Sequence, residues 1–196
     1  VANDDLVQTY LGAKAKAATF TIGKRAISGH RAPTKLDTDD VVPLARESAK
    51  RGLAVFKTIT DKHELFAIPG VSPTEIVELA KVGTHNGGAA WRQVQATVAK
   101  VHDRAPFDVV HADAAGLIGV FRDKLTPAKA KAIANLLESE LPTALEAMME
   151  EDADDELADD EADEDVSIEE EDARHGFSAY VARYLRNSGR FHLWWD

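Results

Sequence analysis

Residues 53–68, LAVFKTITDKHELFAI, decide the class of fold open to this chain. Residues 53–59 are rich in β-forming side chains, and residues 64–68 resume the pattern. The polar Thr60-Asp61-Lys62-His63 between them is a four-residue loop, so the stretch reads as a β-hairpin. A second hairpin pattern spans residues 107–111 and 117–121, across Ala112-Asp113-Ala114-Ala115-Gly116. Helical signals lie around the two hairpins. Residues 38–51 begin acidic and end basic, with Gly52 able to close them, and Pro43 places the helix start near Val42. Ser72-Pro73-Thr74-Glu75 is a helix start with an N-cap, a first-turn proline and a capping box. That helix is expected to end near Gly83. A glycine-rich turn follows, then a second helix over 89–102 with Trp91, Val94, Val98 and Val101 on one stripe. Thr126-Pro127 opens a long helix through about Met149, with Ile133, Leu136, Leu137 and Leu141 at helical spacing, which Pro142 should kink or split. Hairpin, two helices, hairpin, helix is the order of an α+β domain, in which β-hairpins are packed by helices. It is not the strict alternation of a doubly wound sheet. Residues 37–149 are expected to form this core.

Outward from the core, charge is segregated. Residues 150–172, EEDADDELADDEADEDVSIEEED, hold 16 of the chain's 34 Asp and Glu and no Lys, Arg or His. The remainder carries 18 acids against 23 Lys and Arg, a formal +5 where the whole chain reads −11. So charged a segment, with so few apolar residues, cannot offset the entropy of ordering and reads as a low-complexity acidic linker. Two other readings stay open: a mimic of nucleic acid, and a diffuse binder of divalent cations.

Residues 6–36 contain no acid, while Lys14, Lys16, Lys24, Arg25, Arg31 and Lys35 supply six cations. Residues 6–18 read as a short helix, 18–22 as a strand, and 23–25 and 28–33 as loop. Residues 1–36 are therefore expected to be a basic N-terminal arm and first strand. Its six cations would meet phosphate and release counterions, whatever the base sequence. A solvated loop is the plainer alternative.

Beyond the acidic run, Phe177, Tyr180, Val181, Tyr184 and Leu185 form one stripe of an amphipathic helix that Asn187-Ser188-Gly189 ends. The chain closes on FHLWWD, with two of its three tryptophans in the last three residues. Such rings need cover. Residues 173–196 are expected to form a basic, aromatic docking element, since Trp, Tyr and Arg dominate interface hot spots. Its contacts would come from Phe177, Tyr180, Tyr184, Arg186, Arg190, Phe191, Trp194 and Trp195; packing on the chain's own core is the plainer alternative. An acidic segment before terminal aromatics resembles the ends of single-strand-binding proteins of bacteria and phages. A basic stretch of some twenty ordered-looking residues intervenes here and no oligonucleotide-binding barrel can be traced, so no residue role is carried over.

Catalytic signatures are missing. The sequence has no GxxxxGK[ST], GxSxG, HExxH or EF-hand spacing, and its zero cysteines exclude disulfides and thiolate metal sites. No catalytic residue, metal or cofactor is expected. His111 and Asp113 could offer two ligands on one strand face, one too few for a metal site; a hidden site around His85, His102 and His111 is the single enzymatic reading. No apolar run approaches the length of a membrane span, and the first residues carry no secretory pattern, so a cytoplasmic location is expected, in a host cytoplasm or virion if the chain is phage-encoded. The reading reached is a non-enzymatic nucleic-acid-associated accessory or binding protein whose acidic segment shields a basic surface. The alternative is a structural or assembly subunit of a phage particle or other large complex, held by its N-terminal arm and C-terminal aromatics. Nucleic acid and a protein partner or second copy are the expected partners, with no membrane.

Overall fold

The computed structural model describes residues 9–12, 14–59, 62–85, 91–145 and 176–195. The acidic segment 150–172 lies outside the described residues. The chain forms β1 (Lys16–Ile22), β2 (Arg25–Pro33), α1 (Thr38–Ala49), β3 (Leu53–Ile59) and β4 (His63–Pro69). It continues through α2 (Pro73–Ala80), α3 (Trp91–Arg104), β5 (Phe107–Ala112), β6 (Gly116–Phe121) and α4 (Pro127–Glu140). A 3-10 turn (Pro142–Leu145), α5 (Phe177–Ser188) and β7 (Arg190–Trp194) complete it. All these strands join one seven-stranded sheet in the order β1-β2-β4-β3-β5-β6-β7. Neighbours are antiparallel except β3 and β5, which run parallel. The protein is an α+β domain with a mixed sheet.

Strand alternation divides the apolar residues between two faces. One face carries Phe56, Ile68, Phe107, Leu117, Phe121, Phe191 and Leu193. It is covered by Ile76 and Val77 of α2, Val98 of α3, Ile133 and Leu137 of α4, and Val181 and Leu185 of α5. The other face carries Leu53, Val55, Leu65, Ala67, Val110 and Val120, and Val41 and Ala45 of α1 cover it. Both faces are therefore dry over the centre, which is why every residue of β5 is buried. Among the described residues no helix is long and apolar enough to cross a membrane.

Local chemistry sets the helix ends. Ser72 caps α2: its Oγ accepts the Glu75 N–H (3.4 Å) and Glu75 Oε2 accepts the Ser72 N–H (2.8 Å). Thr126 Oγ1 likewise accepts the Lys129 N–H (3.3 Å) at the start of α4, which ends at Glu140; Pro142 splits the expected longer helix, and Pro142–Leu145 form a 3-10 turn instead. Helix α1 begins at Thr38, a turn earlier than Pro43 suggests. Asp40 Oδ2 accepts the Asp37 N–H (3.2 Å), and this box starts the helix at a position where Pro43 removes one bond near the N-terminus.

Two expectations are corrected at the termini. Arg25 and residues 28–33, expected as loop, are strand. The chain turns at Gly23 and Lys24 and continues as β2, which pairs with β1 from Lys16↔Arg31 to Ile22↔Arg25. The expected short helix over 6–18 gives way to β1 from Lys16, with helical residues described only at 9–11. The C-terminal element does not stand apart either. Helix α5 lies on α4, where Ser178 Oγ donates to Glu138, and β7 adds to β6 with Leu117↔Leu193 and Gly119↔Phe191 in register. Phe191 and Leu193 are fully buried and Trp195 is 3% exposed, all in the main core. Burial of such side chains contributes about 1.5–3 kcal/mol each, so the chain covers its terminal aromatics itself.

Candidate functional site

Of the six cations read as one basic arm, the hairpin brings some together and parts others. All six are exposed. Lys16 and Arg31 are cross-strand partners, with Lys14 and Lys35 just beyond the strand ends beside them. Lys24 and Arg25 sit at the hairpin turn, the length of β1 away, or about 20 Å at 3.3 Å per residue. Carboxylates already engage two of them: Arg25 pairs with Glu75, and Arg31 lies 3.7 Å from Glu64.

A denser basic surface forms elsewhere, where the last turns of α1, the β6–α4 connection and the α5–β7 turn converge. A groove of about 580 Å³ is lined there by Arg46, Arg122, Lys124 and Arg186, with Asp123 its single carboxylate. Arg46 is aimed by its Nη2 donating to the Phe121 carbonyl (3.2 Å). Arg122 is held by Nε (3.0 Å) and Nη2 (2.7 Å), both donating to Oδ1 of the buried Asp108. Arg186 lies in the last turn of α5, and Gly189, at φ 66°, reverses the chain into β7. Lys124 and Arg186 make no ion pair among the described residues. Neighbouring cations are quenched instead: Lys50 and Arg51 flank Glu47, whose carboxyl is held below the usual range by the Lys50 ammonium first and by Arg51 after it. Arg190 pairs with Asp39 at 2.6 Å.

Sequence reading missed Arg46, Arg122 and Lys124, and it assigned Arg186 to protein docking. Arg46 and Arg186 are 140 positions apart, and Arg46, Arg122 and Lys124 each stand next to an acid in sequence, so no charge run marks the groove. The one local trace is Arg122-Asp123-Lys124, a charged turn between a strand and a helix start.

The other proposed docking residues belong to the fold. Tyr184, Phe191 and Trp195 are buried, and Phe177 and Tyr180 pack at the margin of the main core. Trp194 is half-buried across from Gly116, where an added Cβ would overlap its ring.

Nor do the three histidines converge. His102 ends α3 at the start of β5; its Nδ1 accepts the Phe107 N–H (3.4 Å) and its ring meets the Phe107 edge at 5.1 Å. Burial first, and then the Arg122 charge, hold its pKa below the ordinary value. His85 is exposed at the other end of the sheet, its N–H bonded to the Ala114 carbonyl (3.1 Å). His111 is buried and bonds Asp113 (Nε2···Oδ2 2.9 Å), whose Oδ1 accepts the N–H groups of Ala115 and Gly116 (2.9 Å each). Burial alone would raise the Asp113 pKa; the His111 contact and the two backbone donors outweigh it, and the carboxyl sits below its ordinary value. The two side chains satisfy one another and close the β5–β6 turn. Among the described residues no group of three His, Cys, Asp or Glu could hold a metal. No protein-family model, no curated protein and no solved structure matches this chain, so the groove is judged on its own chemistry.

Proposed function

We propose that the protein is a nucleic-acid-binding accessory protein whose groove of Arg46, Arg122, Lys124 and Arg186 tracks a phosphate backbone. In this reading its own acidic segment competes for the same cations. One observation carries it: four cations drawn from three separate parts of the chain line one concavity that holds a single carboxylate among the described residues. Such a surface gains affinity by counterion release and needs no base contacts. The 16 carboxylates of residues 150–172 are an intramolecular polyanion attached to a +5 body. Opposite charges on one chain attract over about 8 Å at physiological salt, so the acidic run shields the groove until a longer polyanion displaces it.

Retention on single-stranded and duplex DNA and RNA across a salt series tests this. Replacing 150–172 by a neutral linker of equal length should raise affinity. In that background Arg46→Ala, Lys124→Ala and Arg186→Ala together should flatten the log affinity against log salt slope on duplex DNA by roughly 2–3, at about 0.9 per phosphate contact. If the linker variant shows no binding in low salt, the groove reading falls and the assembly-subunit reading takes its place.

A further inference from the structure

The parallel strands β3 and β5 are in register at one position, Lys57 opposite His111. Toward their amino ends no further register pair joins them among the described residues. The Gly70 N–H bonds the Gly52 carbonyl (3.0 Å), and the Arg122 N–H bonds the Pro106 carbonyl (3.0 Å). Antiparallel ladders alternate in steps of two, so main-chain groups of Leu53 and Val55 turn away from β4, and those of Val109 away from β6. Both sets face the space between β3 and β5. A crevice of about 210 Å³ opens there, passing through the sheet between α1 and α2, with Val71, Ile76 and Phe107 among its apolar walls. It meets a second cavity of about 270 Å³ at Ala49, Asp108 and Arg122, and that cavity adds Arg46 and Lys50. Through Arg46 and Arg122 this mouth is continuous with the cationic groove.

We propose that the crevice and its mouth bind one nucleotide, with the base between β3 and β5 and the phosphate on Arg46 and Arg122. Buried main-chain donors and acceptors require partners. A planar ring edged with N–H groups and lone pairs supplies them in the plane of the sheet, as a neighbouring strand would. Apolar walls cover the faces of such a ring. Asp108 offers one more acceptor: Oδ1 takes both Arg122 bonds, and Oδ2 accepts none among the described residues. The two cavities together fall in the size range of small-molecule sites, roughly 300–1,000 Å³. This inference rests on the groove reading, because the same arginines hold the phosphate; the nucleotide is either free or the end of a strand.

Titration of the full chain with AMP, UMP, inorganic phosphate and inorganic polyphosphate, followed by calorimetry and amide chemical shifts, tests it. AMP or UMP should bind at least tenfold tighter than phosphate, and the Leu53, Val55 and Val109 amides should shift. Val71→Phe, which fills the crevice away from the groove, should remove that preference and keep polyphosphate binding. Should Val71→Phe fail to fold, the amide shifts of the unsubstituted chain decide. A 5′-phosphorylated single-stranded oligonucleotide binding tighter than AMP identifies a strand end as the source; equal affinity identifies a free nucleotide. Nucleotides no tighter than phosphate, or unmoved amides at Leu53, Val55 and Val109, would overturn the crevice. If polyphosphate binds in that case, the groove reading survives; if nothing binds even after residues 150–172 are replaced by the neutral linker, both fall.

Discussion

The first edge strand of the sheet, β1, finds its partner two residues later in the chain, whereas the other edge, β7, reaches β6 from the far terminus. β1 buries Phe20 and Ile22 and leaves Lys16, Ala17, Thr19 and Thr21 in solvent. β7 buries Phe191 and Leu193 and leads into Trp195, while Arg190, His192 and Trp194 are half-buried. Both edges carry basic residues, and charge is a common device for keeping an edge from pairing with other chains. The difference is in what each edge covers. β1 extends a sheet that would remain closed at its centre without it; β7 seals the ring cluster of Phe107, Phe121 and Phe191, with centroids 4.8–6.2 Å apart.

Removing each edge in turn should give very different losses. Ending the chain after Gly189 removes three buried side chains worth about 1.5–3 kcal/mol each, a large part of the 5–15 kcal/mol that holds a typical domain. Thermal melting followed by near-ultraviolet circular dichroism should show loss of the native transition. Retention of a native-like melt would make β7 an appendage and restore the docking reading.

Gly119→Ala probes the same edge from inside. An added Cβ would overlap the Phe191 and Phe107 rings, and overpacking of this kind costs about 1–3 kcal/mol. Denaturant titration should show an earlier midpoint with an unchanged slope.

Asp113→Asn tests the turn that presents β6 to β7. At neutral pH it should destabilise by about 1–2 kcal/mol, since it weakens a buried carboxylate's bonds to His111 and two backbone amides. The sign with pH follows from a folded-state pKa lowered from 3.8. The native Asp113 contributes fully above that ordinary value, and the contribution is lost as pH falls through the lower folded pKa. Stability curves of the two proteins should therefore converge in acid; a gap that widens below pH 4 would reverse the assignment.

The smallest effects should come from single side chains at either edge. Among the described residues Trp195 Nε1 is buried without a hydrogen-bond partner, so Trp195→Phe should change stability by less than about 1 kcal/mol, in either direction. At the β1 edge, Lys16→Ala and Lys24→Ala should each stay within about 0.5 kcal/mol. They should also alter the salt slope of nucleic-acid retention less than Arg46→Ala does. Equal slopes would move the interface back to the hairpin.

Much of the fold was legible because its signals are local. The Ser72 capping box, the Pro142 stop and the two central hairpins each follow from residues within a few positions of one another. The β1–β2 hairpin was half legible. Phe20 and Ile22 alternate as a strand should, but Ser28-Gly29-His30-Arg31 is polar and glycine-bearing, the usual mark of a loop. It becomes strand because β4 pairs with it from His30↔Ala67 to Pro33↔Glu64. Gly29 is needed there, as an added Cβ would come within 2.7 Å of the Ala67 carbonyl oxygen.

By itself the sequence determined the α+β class, most helix boundaries, the segregation of acids into residues 150–172 and the need for the terminal aromatics to be covered. Each of these depends on spacing or composition within a short stretch. Tertiary structure alone decided what covers those aromatics, which cations share a groove and where a crevice opens beside β3 and β5. Strand order fixes all three, because β6 receives β7 and carries Arg122 and Lys124 toward Arg186 and Arg46. The meeting of residues 46 and 186 in one groove leaves no trace in local periodicity, since it is set by distant burial rather than by neighbours in the chain.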